Sequence, residues 1–197
     1  MADAVVLNGR VLYINANAEK KQGCFVEVLE QIANQMDAML SYHSRVLVVR
    51  MDFHIHDYTE GNGEISRLMR KLKKRLMVRY GLSRVGHVWA REIERAKSQH
   101  YHVALMLDAN TVNHPARVIQ LCEEVWQGWN HPKPFTPKNC YSVLRRGDVQ
   151  AYADVFWRLS YMAKIRGKGY KAKAANDYSA SRISHKGEDG HCSVLIC

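Results

Sequence analysis

The order of apolar runs after residue 44 constrains the fold more than any other feature. Arg45–Ile55 (RVLVVRMDFHI) is rich in β-branched and apolar residues and reads as a buried strand. The turn material Thr59–Gly63 (TEGNG) ends it. Ile65, Leu68, Met69, Leu72 and Leu76 then recur at helical spacing, with Gly81 as the stop. Val85–Ile93 and His100–Leu107 read as two strands joined by the short polar connection Arg95–Gln99. Asn113-His114-Pro115 opens a helix that would bury Val118, Ile119, Cys122, Val125, Trp126 and Trp129, and His131–Pro134 breaks it. A short strand at Tyr141–Arg145 and a helix over about 148–165 complete the series. The result is β-α-β-β-α-β followed by a helix. That is the split βαβ arrangement, an α+β fold with an antiparallel sheet and helices on one face.

Residues 1–22 form a short lead. Phe25, Val28, Leu29, Ile32, Met36, Met39 and Leu40 predict an amphipathic helix from about 23 to 42. The chain therefore divides into a lead and helix (1–43), a sheet-bearing core (44–166) and a basic tail (167–197). Beyond about Asn176 the tail is rich in Ser, His and Gly and is expected to be mobile. The five cysteines (Cys24, Cys122, Cys140, Cys192, Cys197) are scattered with no CxxC pair, so neither a zinc knuckle nor a disulfide framework follows. Free thiols in a reducing cytosol are expected. With no secretory signal and no window approaching a membrane span, a cytoplasmic protein without a membrane partner is expected.

Lys and Arg number 29 against 19 Asp and Glu, a net charge of +10. Such a balance is the electrostatic footprint of a polyanion binder, the alternative being a basic surface without a partner. Arg67, Arg70, Lys71, Lys73, Lys74 and Arg75 populate the polar side of the second helix, and Arg166, Lys168, Lys171 and Lys173 form a second run. Both are expected to flank the site, with Arg70, Lys71, Lys74, Arg166, Lys168 and Lys171 on a DNA backbone and affinity falling steeply with salt. Trp89 and Tyr170 are candidates for stacking on unpaired bases or for ordinary packing.

His100-Tyr101-His102 opens the third strand of the split unit. Residues two apart on a strand share a face, so both imidazoles project together and can share one divalent ion. Glu92 and Glu94 on the preceding strand lie one short hairpin away. A His-His-Glu set with open positions suits Mn²⁺ or Mg²⁺ touching a phosphate oxygen. For Glu92 the alternative is an ion pair with Arg91 or Arg95. The last helix carries Ser160-Tyr161-Met162-Ala163-Lys164, where i and i+3 share a face. That pair reads either as a hydroxyl nucleophile beside a stabilising ammonium, or as a core tyrosine with a snorkelling lysine.

Taken together these residues resemble the HUH endonucleases, in which two histidines flank a hydrophobic residue, here His100-Tyr101-His102. WAREIERAKSQHYHVAL resembles the replication-initiator pattern, in which a glutamate upstream of the first histidine is the third ligand, and Glu92 stands there. SYMAK matches the YxxK motif. Within the group the chain is most similar to inovirus-type initiators of filamentous phages and prophages, through RVLVVRMDF, HYHVALML, SYMAK and the later SASR, over roughly residues 44–182. The resemblance implies metal ligation by Glu92, His100 and His102, with Tyr161 as nucleophile and Lys164 as its partner. It further implies nicking of single-stranded or origin DNA through a 5′-phosphotyrosyl intermediate that leaves a free 3′-OH. The implied partners are a host helicase and polymerase, and the implied source is a phage, prophage or plasmid-like element of a bacterial cell.

The chain departs from the pattern at its first strand, VVRMDFHIH, where the family has a hydrophobic-threonine strand. Arg50 and Asp52 share one face there, as DNA- or metal-placing groups or as an ion pair. His54-Ile55-His56 is a second His-hydrophobic-His pair, set aside because no carboxylate precedes it. No second tyrosine lies close to Tyr161, which favours the single-nucleophile class. A single-tyrosine transposase and a non-catalytic nucleic-acid-binding module on the same fold are the competing readings.

Overall fold

The computed structural model describes residues 4–16, 23–93, 99–165 and 175–187. In order along the chain these form β1 (Ala4–Leu7), β2 (Arg10–Tyr13), α1 (Val26–Tyr42), β3 (Arg45–His54), α2 (Gly63–Tyr80) and β4 (Gly86–Ile93). They continue with β5 (Gln99–Asp108), α3 (Ala116–Gln127), β6 (Tyr141–Arg145), α4 (Val149–Ser160) and β7 (Tyr178–Ala180). The five-stranded sheet runs β6-β3-β5-β4-β7, antiparallel throughout. The crossovers β3-α2-β4 and β5-α3-β6 each skip one strand, which is the split βαβ order expected from the sequence.

Helices cover both faces of the sheet, not one. Leu47, Val49, Met51, Phe53, Trp89, Tyr101, Val103, Leu105 and Leu107 pack under α2 and α3. Val46, Val48, Val88, Ala90, Ala104, Met106 and Leu144 pack under α1 and α4. The cause is visible in β3 and β5, whose apolar runs are nearly continuous, so both faces must be removed from water. Gly86 lets α1 come close, since a Cβ there would lie 3.0 Å from Met39 Cγ. Gly81 ends α2 in the left-handed conformation at φ 62.

The ends of the chain hold structure that the sequence reading did not assign. Within the lead β1 and β2 form a hairpin turning at Asn8-Gly9, both at positive φ, the turn that an Asn-Gly pair favours. Leu7 and Leu12 on it join the α1 layer. The tail expected to be mobile supplies β7, which pairs with β4, and the His87 and Ser181 backbones are bonded, Ser181 N–H to His87 O at 2.8 Å. Cys24, Cys122 and Cys140 take part in no disulfide among the described residues, and Cys192 and Cys197 lie outside them. No helix among the described residues is long and apolar enough to cross a membrane.

His87 on β4 is held down to a pKa of about 4, first by burial and then by the charge of Lys73. A histidine depressed in this way loses its proton on folding, so its contribution to stability is lost as pH falls from the ordinary value, about 6.5, toward about 4. Urea unfolding across that window is expected to show a shallower pH dependence for His87→Gln than for the wild type. Equal slopes would mean that His87 is not the group responsible.

Candidate metal and phosphate centre

Strand register builds the site. Across the sheet, His100 on β5 stands between His54 on β3 and Glu92 on β4, and the next row is Asp52, His102 and Ala90. These side chains occupy the α1/α4 face, while Tyr101 between the two histidines turns to the other core and packs edge-on against Trp89 at 5.6 Å. His100 and His102 are 7% and 3% exposed, and Glu92 is 9% exposed.

The ligand atoms converge. One atom each of Glu92, His100 and His102 all lie within 4.8 Å of one another. Glu92 Oε2 is 3.0 Å from His102 Nε2 and 3.8 Å from His100 Nε2. On its other side His102 Nδ1 donates to Asp52 Oδ1 at 2.7 Å. That bond holds the ring with Nε2 facing Glu92, the arrangement by which a carboxylate behind a histidine orients a metal ligand. Two imidazoles and a carboxylate are a suitable donor set for a divalent ion, and the residues fit one.

Burial and partners pull the two histidines apart. Burial by itself would lower His102, but its bonds to Asp52 and Glu92 outweigh this and hold its pKa above the ordinary value. His100 is lowered to about 4, first by burial and then by the charge of His102. It is therefore a neutral imidazole, and its Nδ1 is buried with no hydrogen-bond partner among the described residues. Burial would raise Asp52, yet His102 and then Arg50 keep its carboxyl below the usual carboxylate range.

Tyr161 reaches this cluster from α4, but not on the helix that the sequence predicts over 148–165. α4 ends at Ser160, and Tyr161–Ala163 form a single 3₁₀ turn. The backbone straightens at Lys164, at φ −54 and ψ 137. The turn is tied down from both sides: Phe25 N–H donates to Ala163 O at 2.8 Å, and Asn15 N–H donates to Ser160 Oγ at 2.7 Å. Met162 and Ala163 are buried against the small Ala90 and Ala104 layer. The Tyr161 ring stands edge-on to His102 with centroids 5.5 Å apart. Arg50 and Lys164 flank it, with Cζ and Nζ 4.6 and 4.2 Å from its centroid. The two cations meet any anion that approaches Tyr161.

Other expected residues fall elsewhere. Arg70, Lys71 and Lys74 are exposed on α2, across the sheet from Tyr161, so they do not flank the site. Lys71 and Arg67 lie instead over the Trp129 ring. Trp89 is a core residue, leaving no face for a base. Arg91 is no partner of Glu92: it points to the α2 face, 1% exposed, and donates to the carbonyls of Thr59 and Glu60. His54, set aside from sequence, stacks on His100 at 5.0 Å and 23°. Glu94, Arg95, Arg166, Lys168, Tyr170 and Lys171 lie outside the described residues. Sequence reasoning missed Trp157, which falls off the buried stripe of α4 and is exposed one turn before Tyr161.

Asp52→Asn keeps the shape of the carboxylate but weakens its hold on His102 Nδ1–H. Calorimetric titration with Mn²⁺ is expected to show affinity lowered by about 10- to 100-fold, the usual cost of losing a partner behind a histidine ligand. Unchanged affinity would mean that Asp52 does not orient His102 for metal.

No curated protein and no solved structure gives a significant match to the chain. A model of one protein family does match, over residues 8–177, a span containing the whole sheet except its last strand, together with Glu92, His100, His102, Tyr161 and Lys164. The chain belongs to the family of the YagK/YfjJ C-terminal domain.

Proposed function

We propose that this domain is a metal-dependent endonuclease and ligase for single-stranded DNA, of the rolling-circle initiator type, with Tyr161 as its nucleophile. The observation that carries the reading is the placing of the Tyr161 ring 5.5 Å from that of His102, between Arg50 and Lys164. The two cations lie over the ring and so stabilise it by cation–π contact, and they also put positive charge where a phosphate would meet the Tyr161 hydroxyl.

Glu92, His100 and His102 would hold Mn²⁺ or Mg²⁺, the imidazole pair favouring Mn²⁺. A bound ion there would polarise the phosphate and offset charge developing in the transition state. Arg50 and Lys164 hold the phosphate against Tyr161. A bond forms between the Tyr161 oxygen and phosphorus as the bond from phosphorus to O3′ breaks, and the tyrosyl proton is released to solvent. Lys164 is held below its ordinary pKa, first by burial and then by Arg50, although Cys24 and Glu92 oppose this. That eases proton donation to the departing 3′ oxygen. No water is consumed, so attack of a 3′-OH on the phosphotyrosine reverses the step and ligates.

End-labelled single strands from an origin-derived or random pool, incubated with Mn²⁺, Mg²⁺ or EDTA and run on a denaturing protein gel, test the reading. A covalent adduct is expected with either ion, and none is expected in EDTA or with Tyr161→Phe. Lys164→Ala should form it about 100-fold more slowly. An adduct that survives Tyr161→Phe would move the nucleophile to another residue. Salt-sensitive binding that ignores EDTA, with no adduct on any substrate, would replace the enzyme with a binding module.

A further inference from the structure

Segment 131–140 extends the sheet beyond β6 along the edge of β3. Asp52 and Phe135 exchange backbone hydrogen bonds at 2.9 and 2.8 Å, and Arg50 N–H donates to Cys140 O at 2.7 Å. Between this segment and α4 lies a cleft of about 310 Å³, at the small end of the range for sites that enclose ligands. Lys138 and Arg158 stand on its walls, and none of its described lining residues is acidic. Arg158 Nη1 donates to Asn139 O at 3.2 Å, joining the two walls.

Two observations single out the cleft. Trp157 lines it and is 45% exposed, although Tyr152, Val155, Phe156 and Leu159 on the same helix are buried. A large aromatic face left in water beside cations is the usual platform for an unpaired base. Arg50 also lines the cleft while its guanidinium lies over the Tyr161 ring, so one side chain joins the cleft to the candidate nucleophile. The Nε of Arg50 is buried with no hydrogen-bond partner among the described residues.

We propose that this cleft is a nucleobase subsite, taking one base of a DNA strand stacked on Trp157, with Lys138 and Arg158 on the adjoining phosphates. Resting on the nicking reading, this is the base next to the scissile phosphate, and the cleft makes cleavage depend on which base enters it. A duplex is too wide to enter, so the ligand is single-stranded.

The test separates the two readings. Binding of 5′-labelled dT15 and of an abasic 15-mer with the same backbone is followed by fluorescence anisotropy in EDTA, where no cleavage occurs. Trp157→Ala is expected to weaken dT15 binding by about 5- to 150-fold, the range for loss of one base–aromatic stack. Trp157→Phe should restore most of it, and the abasic strand should bind all three proteins alike. Equal losses on both strands, or none on either, would overturn the subsite. If Trp157-dependent base binding persists while no adduct ever forms, the cleft stands and nicking falls. If adducts form at the same positions and dT15 binds equally tightly without Trp157, nicking stands and the cleft falls.

Discussion

The two-residue period of β5, between two covered faces, is the constraint on which the rest depends. Tyr101 and Val103 must enter the α2/α3 core, which obliges His100 and His102 to face α1 and α4. A slip of one residue would put both imidazoles into an apolar layer and Tyr101 among carboxylates. Pairing β5 with β3 on one side and β4 on the other then brings Asp52 and Glu92 to the histidines without any loop having to place them. Ligands fixed by strand register are held more precisely than ligands on loops.

Tyr161, the proposed nucleophile, is placed by a different device. α4 brings the chain to the cluster and then stops, and the tighter 3₁₀ turn sets Tyr161 at the rim. Hydrogen bonds from Asn15 and Phe25 hold this turn from outside the split unit. The segments before and after the split βαβ unit are therefore part of the site's frame: the approach to α1 clamps the turn, and β7 closes the edge of β4. A bare β-α-β-β-α-β unit would have the ligands but would leave both the far face of its sheet and the Tyr161 turn without support.

Much of this was legible because it follows period and order. RVLVVRMDFHI and HYHVALML declare buried strands, and the helical spacing of Ile65, Leu68, Leu72 and Leu76 places α2. The candidate ligand trio of Glu92, His100 and His102 was legible too, since register in a hairpin is simple arithmetic. Whether α1 and α4 cover the second face is a tertiary question that no single helix pattern answers, yet the near-continuous apolar runs of β3 and β5 already carried it. Asn8-Gly9 was a readable hairpin signal that four-residue strands made easy to pass over. β7 had no signal: YSA has no alternation, and its pairing with β4 comes from the sheet. The end of α4 was equally silent, because Tyr161, Met162 and Ala163 are all acceptable in a helix and the break comes from their contacts with α1 and β4.

The charges of the buried cluster bear on the proposed reading. Without an ion, the carboxylates of Asp52 and Glu92 face the guanidinium of Arg50 and a His102 whose proton both carboxylates hold in place. Opposite charges are thus paired in a dry site, where an unmatched charge costs several kcal/mol, roughly 3–5 when one partner of a pair is removed. A divalent ion held by Glu92, His100 and His102 would add positive charge to this cluster, and Lys164 adds more at the rim. On the proposed reading a phosphodiester would offset that added charge. The same strand register that pairs the charges of the cluster would thus, on that reading, favour an anion beside Tyr161 once a divalent ion is held.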